Sequence, residues 1–281
     1  MLPIKVCLNY TYVIKTFYNL SFKENNMMSM SKCKEFRASI YYFIYLLSYL
    51  SITLGSLLRL LRKFFYFKTL GLFYDLFSRF YDNFTLSLPN YSTICQFIVQ
   101  LAHPSKNDCA LDVACGTGLV TLLLTQRAGE VVGLDLSLGQ LKQLQLKARG
   151  IANIHLVLGD ARKLPFRGGS FDLITCSGAL SEIIDKKYVI KEMYNVLSYD
   201  GRIAIMTFNK ENIPLLRSWA YNAEELEKDL RDCRLKEIRL LKIKPFYIIA
   251  KAKKIIHSRL DFIYRRSKSN NRPHMSLLFR T

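Results

Sequence analysis

The centre of the chain alternates between short apolar runs and stretches in which apolar residues recur every three or four positions. The short runs predict strands, and the wider spacing predicts helices. Strands are predicted over residues 109–113, 131–135, 154–158, 171–176 and 202–208, and helices over residues 119–127, 138–149 and 188–197. Such an alternation is typical of a parallel sheet with helices on both faces.

Two further apolar runs follow, over residues 235–241 and 246–250, separated by a Lys-Pro. So short a break predicts an antiparallel pair, because parallel strands need a longer crossover. We therefore predict an α/β fold with a doubly wound, mostly parallel, Rossmann-like sheet of seven strands, the last of them antiparallel, preceded by an N-terminal helical extension.

The N-terminal part has a different pattern. No charged residue occurs from 39 to 58, and Arg37, Arg59 and Arg62 bracket this run. Its length meets the minimum of about 18 to 20 residues for a membrane-spanning helix. Its many tyrosines and serines make it only moderately apolar, so a soluble helix packed on the domain is the alternative.

The distribution of charged residues divides the chain into the same parts as the pattern of apolar residues. The extension at 1–70 holds ten Lys and Arg against two acids, the domain at 71–250 holds 22 against 19, and the tail at 251–281 holds nine against one. Most of the net charge of +19 thus lies in the two ends. Basic ends beside an apolar run predict membrane contact through the N-terminal helix and the tail, whereas the nearly neutral domain disfavours nucleic acid as a partner.

The seven cysteines form no C-x-x-C pair and no histidine-flanked spacing. This pattern indicates neither a disulfide framework nor a zinc site, so we expect free thiols, no bound metal and a reducing compartment. The expected location is the cytoplasm, with membrane association.

A glycine-rich turn follows the first predicted strand. Residues 111–118 read LDVACGTG, and Gly116 and Gly118 allow a ligand to approach the backbone closely. The third glycine of a dinucleotide fingerprint is absent, so a pyrophosphate is not the expected ligand.

Acidic residues end the next two predicted strands. Asp135 lies 23 residues after Asp112, close to the spacing of about 20 for a carboxylate that accepts ribose hydroxyl protons. Asp160 follows the third strand, where a carboxylate can accept a hydrogen bond from an adenine amine. Three consecutive strand ends therefore carry groups that suit one nucleoside.

These motifs resemble the class I S-adenosylmethionine-dependent methyltransferases, in particular the ubiquinone and menaquinone biosynthesis type. The resemblance covers about residues 71–250. Its further matches are GLDLS at 133–137, GDA at 159–161, LPF at 164–166, FDLIT at 171–175, Ser177, EMYNVL at 192–197, GRI at 201–203, and the pairs Tyr74-Asp75 and Tyr81-Asp82.

The resemblance implies S-adenosyl-L-methionine as the cofactor. It assigns the methionine end to Asp112, Gly116, Thr117 and Gly118, the ribose to Asp135 and Leu136, and the adenine to Asp160 and Ala161. Ser177 is expected beneath the transferring methyl group.

The chain also departs from the quinone-type pattern. Ser181-Glu182 replaces an Arg-Asn pair, and the usual substrate cap is short, over residues 209–219. The sequence assigns no catalytic residue, although Glu182 and Asp185 are candidate bases that a helix start would also explain. We expect a methyltransferase for a small, lipophilic acceptor, with an RNA methyltransferase and a non-catalytic cofactor-binding module as alternatives.

Overall fold

The computed structural model describes residues 63–211, 220–244 and 246–255. The candidate membrane helix at 39–58 and most of the basic tail lie outside these ranges. Within them, no helix combines the length and the apolar character that crossing a membrane requires.

From residue 63 onward, three helices precede the first strand, and strands and helices then follow one another. The elements are α1 (Lys63–Phe77), α2 (Tyr81–Ser87), α3 (Tyr91–Ala102), β1 (Cys109–Val113), α4 (Thr121–Thr125), β2 (Glu130–Asp135), α5 (Leu138–Lys147), β3 (Ile154–Leu158), β4 (Phe171–Ser177), α6 (Lys186–Val196), β5 (Leu197–Phe208), α7 (Ala223–Asp232), β6 (Lys236–Ile243) and β7 (Tyr247–Lys253).

The strands form one sheet in the order β3-β2-β1-β4-β5-β7-β6. β1 to β5 pair in parallel, and β7 is antiparallel to β5 and β6. The predicted seven-stranded, mostly parallel sheet is confirmed. The chain reverses direction across the sheet between β1 and β4, which leaves a crevice at their carboxyl ends.

Alternate residues of the central strands face two separate cores. In β5, Ile203 and Ile205 pack in the core that includes α6 and α7, whereas Ala204 and Met206 pack in the core that includes α3 and α4. Because both faces are covered, the strands are apolar at nearly every position, as the sequence pattern indicated.

Local sequence fixes where the helices begin. The Ser137 hydroxyl accepts a hydrogen bond from Gln140 N at 3.1 Å and caps α5. Asn222 and Glu225 form a reciprocal capping box at the start of α7. These caps satisfy amide groups that have no partner inside the helix.

Several predicted ends differ from the structure. β5 begins at Leu197 rather than at residue 202, since Leu197 pairs with Phe171 before an irregularity shifts the register. β7 continues past residue 250 to Lys253, because β5 and β6 both offer it partners that far along. The helix predicted over residues 119–127 is a single short segment, α4.

Candidate functional site

A cavity lies at the carboxyl ends of β1, β2 and β4, beneath α1 and the start of α2. Six of the nine predicted site residues line it, namely Gly116, Asp135, Leu136, Asp160, Ala161 and Ser177. The other three, Asp112, Thr117 and Gly118, do not line it. The cavity is the crevice that the sheet topology predicts.

The glycine turn and the acid at the end of β2 form one unit. Gly116 has a positive φ of 55°, and its N–H donates to Asp135 Oδ2 at 2.8 Å. Ser137 N donates to the other carboxylate oxygen, Oδ1, also at 2.8 Å. Each oxygen keeps a second lone pair, so the carboxylate can still accept bonds from a ligand diol.

Burial raises the pKa of Asp135, and the amides of Ser137 and Gly116 oppose that effect by binding the charged form. The carboxyl side chain is thus held in one orientation at the cavity wall. A fixed acceptor of this kind loses little entropy when a ligand binds.

Asp112 is enclosed by neighbouring side chains and does not line the cavity. Its side chain is buried and accepts hydrogen bonds from Thr121 Oγ1 at 2.6 Å and Thr175 Oγ1 at 2.7 Å. Burial raises its pKa to about 6. These bonds join β1 to α4 and β4, so Asp112 holds the turn in place, and its contact with the methionine end stays a prediction.

Thr117 and Gly118 also contact protein groups. The Thr117 hydroxyl donates to Asp82, and a Cβ placed on Gly118 would lie 2.2 Å from Leu144 Cδ1. Gly118 therefore allows α5 to pack closely against the turn.

Asp160 and Ala161 lie at the far wall of the cavity. The Asp160 carboxylate accepts bonds from Arg162, from the backbone N at 2.9 Å and from Nη2 at 2.5 Å. The adenine contact predicted for Asp160 must therefore share the carboxylate with this arginine.

One buried polar side chain at the cavity, Gln140, has no hydrogen-bond partner for either of its amide atoms among the described residues. The Ser177 hydroxyl also lies at the cavity, beside the Tyr91 hydroxyl. Unsatisfied buried polar groups are costly unless a ligand or water pairs with them. A polar ligand such as a nucleoside with an amino acid end fits this wall.

Gln140 was missed by the sequence analysis. It occupies the buried face of α5 together with Leu141 and Leu144. An amide at an apolar position of an amphipathic helix is the sequence signal that would have identified it.

Two aspartates connect the covering helices α1 and α2 to the loops that follow β1 and β2. Asp75 Oδ1 accepts bonds from Ser137 Oγ at 2.6 Å and Gly139 N at 2.7 Å. Asp82 pairs with Lys147 and also accepts from Thr117. In each Tyr-Asp pair of the sequence, the aspartate thus bonds to a loop, β2–α5 or β1–α4, and the tyrosine lines the cavity wall.

The Ser181-Glu182 pair divides into two roles. Ser181 Oγ lies 2.8 Å from Thr207 Oγ1 and accepts from Phe208 N, so it ties the β4–α6 loop to β5. Glu182 lines the cavity, and its Oε2 accepts a hydrogen bond from the Tyr74 hydroxyl.

A second cavity lies between the start of α6 and α7, and Asp185 lines it. Its charged walls are largely ion-paired, for example Lys187 with Asp232 and Lys210 with Glu225. Across the described residues, no group of three or more His, Cys, Asp or Glu side chains is placed to hold a metal ion.

Residues 111–205 match the family model described as a methyltransferase domain. The chain is 37% identical over 142 residues to the chloroplastic 2-phytyl-1,4-beta-naphthoquinone methyltransferase of Arabidopsis thaliana, covering 47% of this chain and 54% of that protein. It is 33% identical over 138 residues to demethylmenaquinone methyltransferase of Staphylococcus haemolyticus, covering 48% and 58%. The match thus spans little more than half the length of these relatives.

Solved structures share the fold at low sequence identity. The geranyl diphosphate C-methyltransferase of Streptomyces coelicolor, solved with S-adenosyl-L-homocysteine, superposes with a TM-score of 0.53 and 16% identity over 58% of this chain and 79% of that one. At this identity the likeness shows the fold alone.

The sheet order and the solved structures show the fold, which is the Rossmann-like fold of methyltransferases. Residues 111–205 match the methyltransferase domain model within this fold. Over about half of its length, the chain resembles a phytyl-naphthoquinone methyltransferase and a demethylmenaquinone methyltransferase.

Proposed function

We propose that the chain is an S-adenosyl-L-methionine-dependent methyltransferase that acts on a small, lipophilic acceptor of the naphthoquinone type. The supporting observation is the joined unit of Gly116 and Asp135 beside the unpaired amide of Gln140, in a cavity at the switch point of the sheet. This unit offers both charge and hydrogen-bonding groups to a polar cofactor.

The residues present fit the cofactor. Asp135 would accept the ribose hydroxyl protons, and Asp160 and Ala161 would contact the adenine. The turn at Gly116, together with Gln140 and Ser177, would hold the amino acid end and the region of the sulfur. The bound sulfonium supplies an already activated methyl group, so the protein mainly has to align an acceptor with it.

The acceptor class rests on the relatives and on the cavity. The two relatives described above are named for 2-phytyl-1,4-beta-naphthoquinone and for demethylmenaquinone. The cavity wall combines the tyrosines Tyr74 and Tyr81 with the apolar Leu70, Leu136 and Ile183. Neither of these names refers to RNA, so they do not support the RNA alternative. Methyl transfer in an activity test would exclude the non-catalytic module.

Purified full-length protein incubated with methyl-labelled S-adenosyl-L-methionine and chemically reduced 2-phytyl-1,4-naphthoquinone is expected to label the organic extract. Asp135→Asn should label nothing, which controls for carry-over of free cofactor. Label recovered in added RNA instead would support the RNA alternative. Cofactor binding without label in the quinol, RNA or a cell extract would support the non-catalytic module.

We also propose that the protein works at a membrane surface, where such an acceptor dissolves. The covering helices expose apolar side chains, with 59% of Leu72, 74% of Leu76 and 49% of Phe80 accessible. The charge-free run at 39–58 and the basic ends of the sequence also favour membrane contact.

Full-length protein is therefore expected to float with vesicles that contain anionic lipid, because both apolar area and basic charge contribute to surface binding. Leu72→Ser combined with Leu76→Ser should reduce the floating fraction several-fold, whereas Leu158→Ser, an exposed leucine at the end of β3, should leave it unchanged. Protein that stays at the bottom of the gradient would overturn the membrane proposal.

A further inference from the structure

We propose that Glu182 is the general base of the reaction and that Tyr74 sets its proton affinity. This inference rests on the proposed function, since it names the group that receives the acceptor's proton. It also explains why a carboxylate stands where the quinone-type pattern has an Arg-Asn pair.

The position of Glu182 carries the inference. It shares the cavity wall with Ser177 and Gly178, the residues at the carboxyl end of β4. Neighbouring Ser181 is buried and bonded to β5, which fixes the loop that carries Glu182. Glu182 keeps part of its surface accessible, and that surface borders the cavity. A base must reach the acceptor's proton while the protein holds it in place, and this loop provides both conditions.

The groups that face Glu182 come from three other elements. Tyr74 on α1 donates a hydrogen bond to its carboxylate, Tyr81 lies on α2, and Asp135 at the end of β2 is a like charge. Burial, and to a smaller extent Asp135, raise the pKa of Glu182 to about 7, and the Tyr74 bond opposes that rise. A base with a pKa near the working pH is both available and strong enough to take a proton.

The chemistry balances with one proton. A bond forms between the acceptor atom and the methyl carbon, and the bond from that carbon to the sulfonium sulfur breaks, with its electron pair left on the sulfur. The acceptor must then lose one proton, which Glu182 takes as a carboxylate and later releases to water. The inferred acceptor is therefore one that carries an ionisable proton, such as the hydroxyl of a naphthoquinol, rather than an aprotic nucleophile.

Glu182→Gln tests the role because glutamine keeps the shape and can still accept the Tyr74 hydrogen bond. With reduced 2-phytyl-1,4-naphthoquinone as the acceptor, kcat/KM of the natural chain should rise with pH through a midpoint near 7. Glu182→Gln should lower kcat/KM by about 100-fold or more and flatten the profile. Its affinity for S-adenosyl-L-homocysteine, measured by calorimetry, should stay within a few-fold of the natural value.

Tyr74→Phe gives a second, independent measurement. Loss of the donor should move the midpoint of the pH profile upward, because the hydrogen bond favours the charged carboxylate. In carbon-13 spectra of protein labelled at its glutamate carboxyls, the same upward movement should appear without any acceptor present, in a resonance that Glu182→Gln lacks.

Asp185→Asn is the matched control, since Asp185 is the other candidate base and lines the second cavity instead. It should leave the pH profile unchanged. The inference fails if Glu182→Gln keeps its activity and slope, if Tyr74→Phe does not move the midpoint, or if Asp185→Asn removes the slope. Failure of the natural chain to methylate the quinol, although it binds the cofactor, would instead overturn the proposed function and the inference with it.

Discussion

Asp135→Asn is expected to weaken the binding of S-adenosyl-L-homocysteine by at least about 100-fold. Hydrogen bonds to a charged group contribute about 1.5 to 3 kcal/mol each, and a ribose diol would donate two of them to this carboxylate. Asparagine also places an NH2 against one of two N–H donors, that of Gly116 or that of Ser137. The variant therefore loses charge and disturbs the turn at the same time.

Asp172→Asn provides the matched control. Asp172 is another carboxylate that accepts bonds from a backbone N–H, at Cys109 with 3.0 Å, and from a hydroxyl, at Ser198 with 3.1 Å. It lies near the amino end of β4, away from the cavity. Calorimetric titration should find normal affinity in Asp172→Asn, and urea unfolding should show both variants folded. Equal loss of affinity in the two variants would mean that Asp135 acts only through stability.

Gly118→Ala is expected to cost about 3 kcal/mol of unfolding free energy. A Cβ at this position would lie 2.2 Å from Leu144 Cδ1, and Leu144 is fully buried. Overpacking a core costs about 1 to 3 kcal/mol, and the φ of 90° adds roughly 1 kcal/mol more for a residue with a side chain. Urea denaturation measures the sum.

Gly150→Ala separates the two contributions, because Gly150 has a φ of 83° and no atom within 4 Å of a built Cβ. It should cost only about 1 kcal/mol, the conformational part. Combining Gly118→Ala with Leu144→Ala should cost less than the sum of the two single changes, since the smaller side chain relieves the contact. If Gly118→Ala unfolds like the natural protein but binds the cofactor poorly, the ligand contact predicted from the sequence holds and the packing explanation is wrong.

The sequence pattern was sufficient for the fold. Continuous apolar runs such as 109–113 indicated strands covered on both faces, and the Lys-Pro break indicated the antiparallel pair. It also brought Gly116, Asp135 and Asp160 to one cavity, because the carboxyl ends of parallel strands meet at one edge. The strand and helix ends were less accurate, since tertiary pairing, as between Phe171 and Leu197, decides where a strand stops.

Side-chain roles inside the motifs required the tertiary structure. Asp112 and Asp135 both belong to apolar runs that form strands, yet the first is enclosed by Thr121 and Thr175 and the second faces the cavity. The spacing along the chain gives the same kind of information for both residues, and it does not show which way a side chain points. Only the packing of the neighbouring strand and helix separates an enclosed acid from one that lines the cavity.

The sequence by itself therefore determined the class of fold, the cavity edge and the identity of the strand-end groups, because these depend on local periodicity and chain order. The tertiary structure decided which group remains unpaired, as at Gln140, and which acid stands beside a distant tyrosine, as Glu182 does beside Tyr74. Hydrogen-bond satisfaction and desolvation arise from residues far apart in the chain, so no local pattern records them.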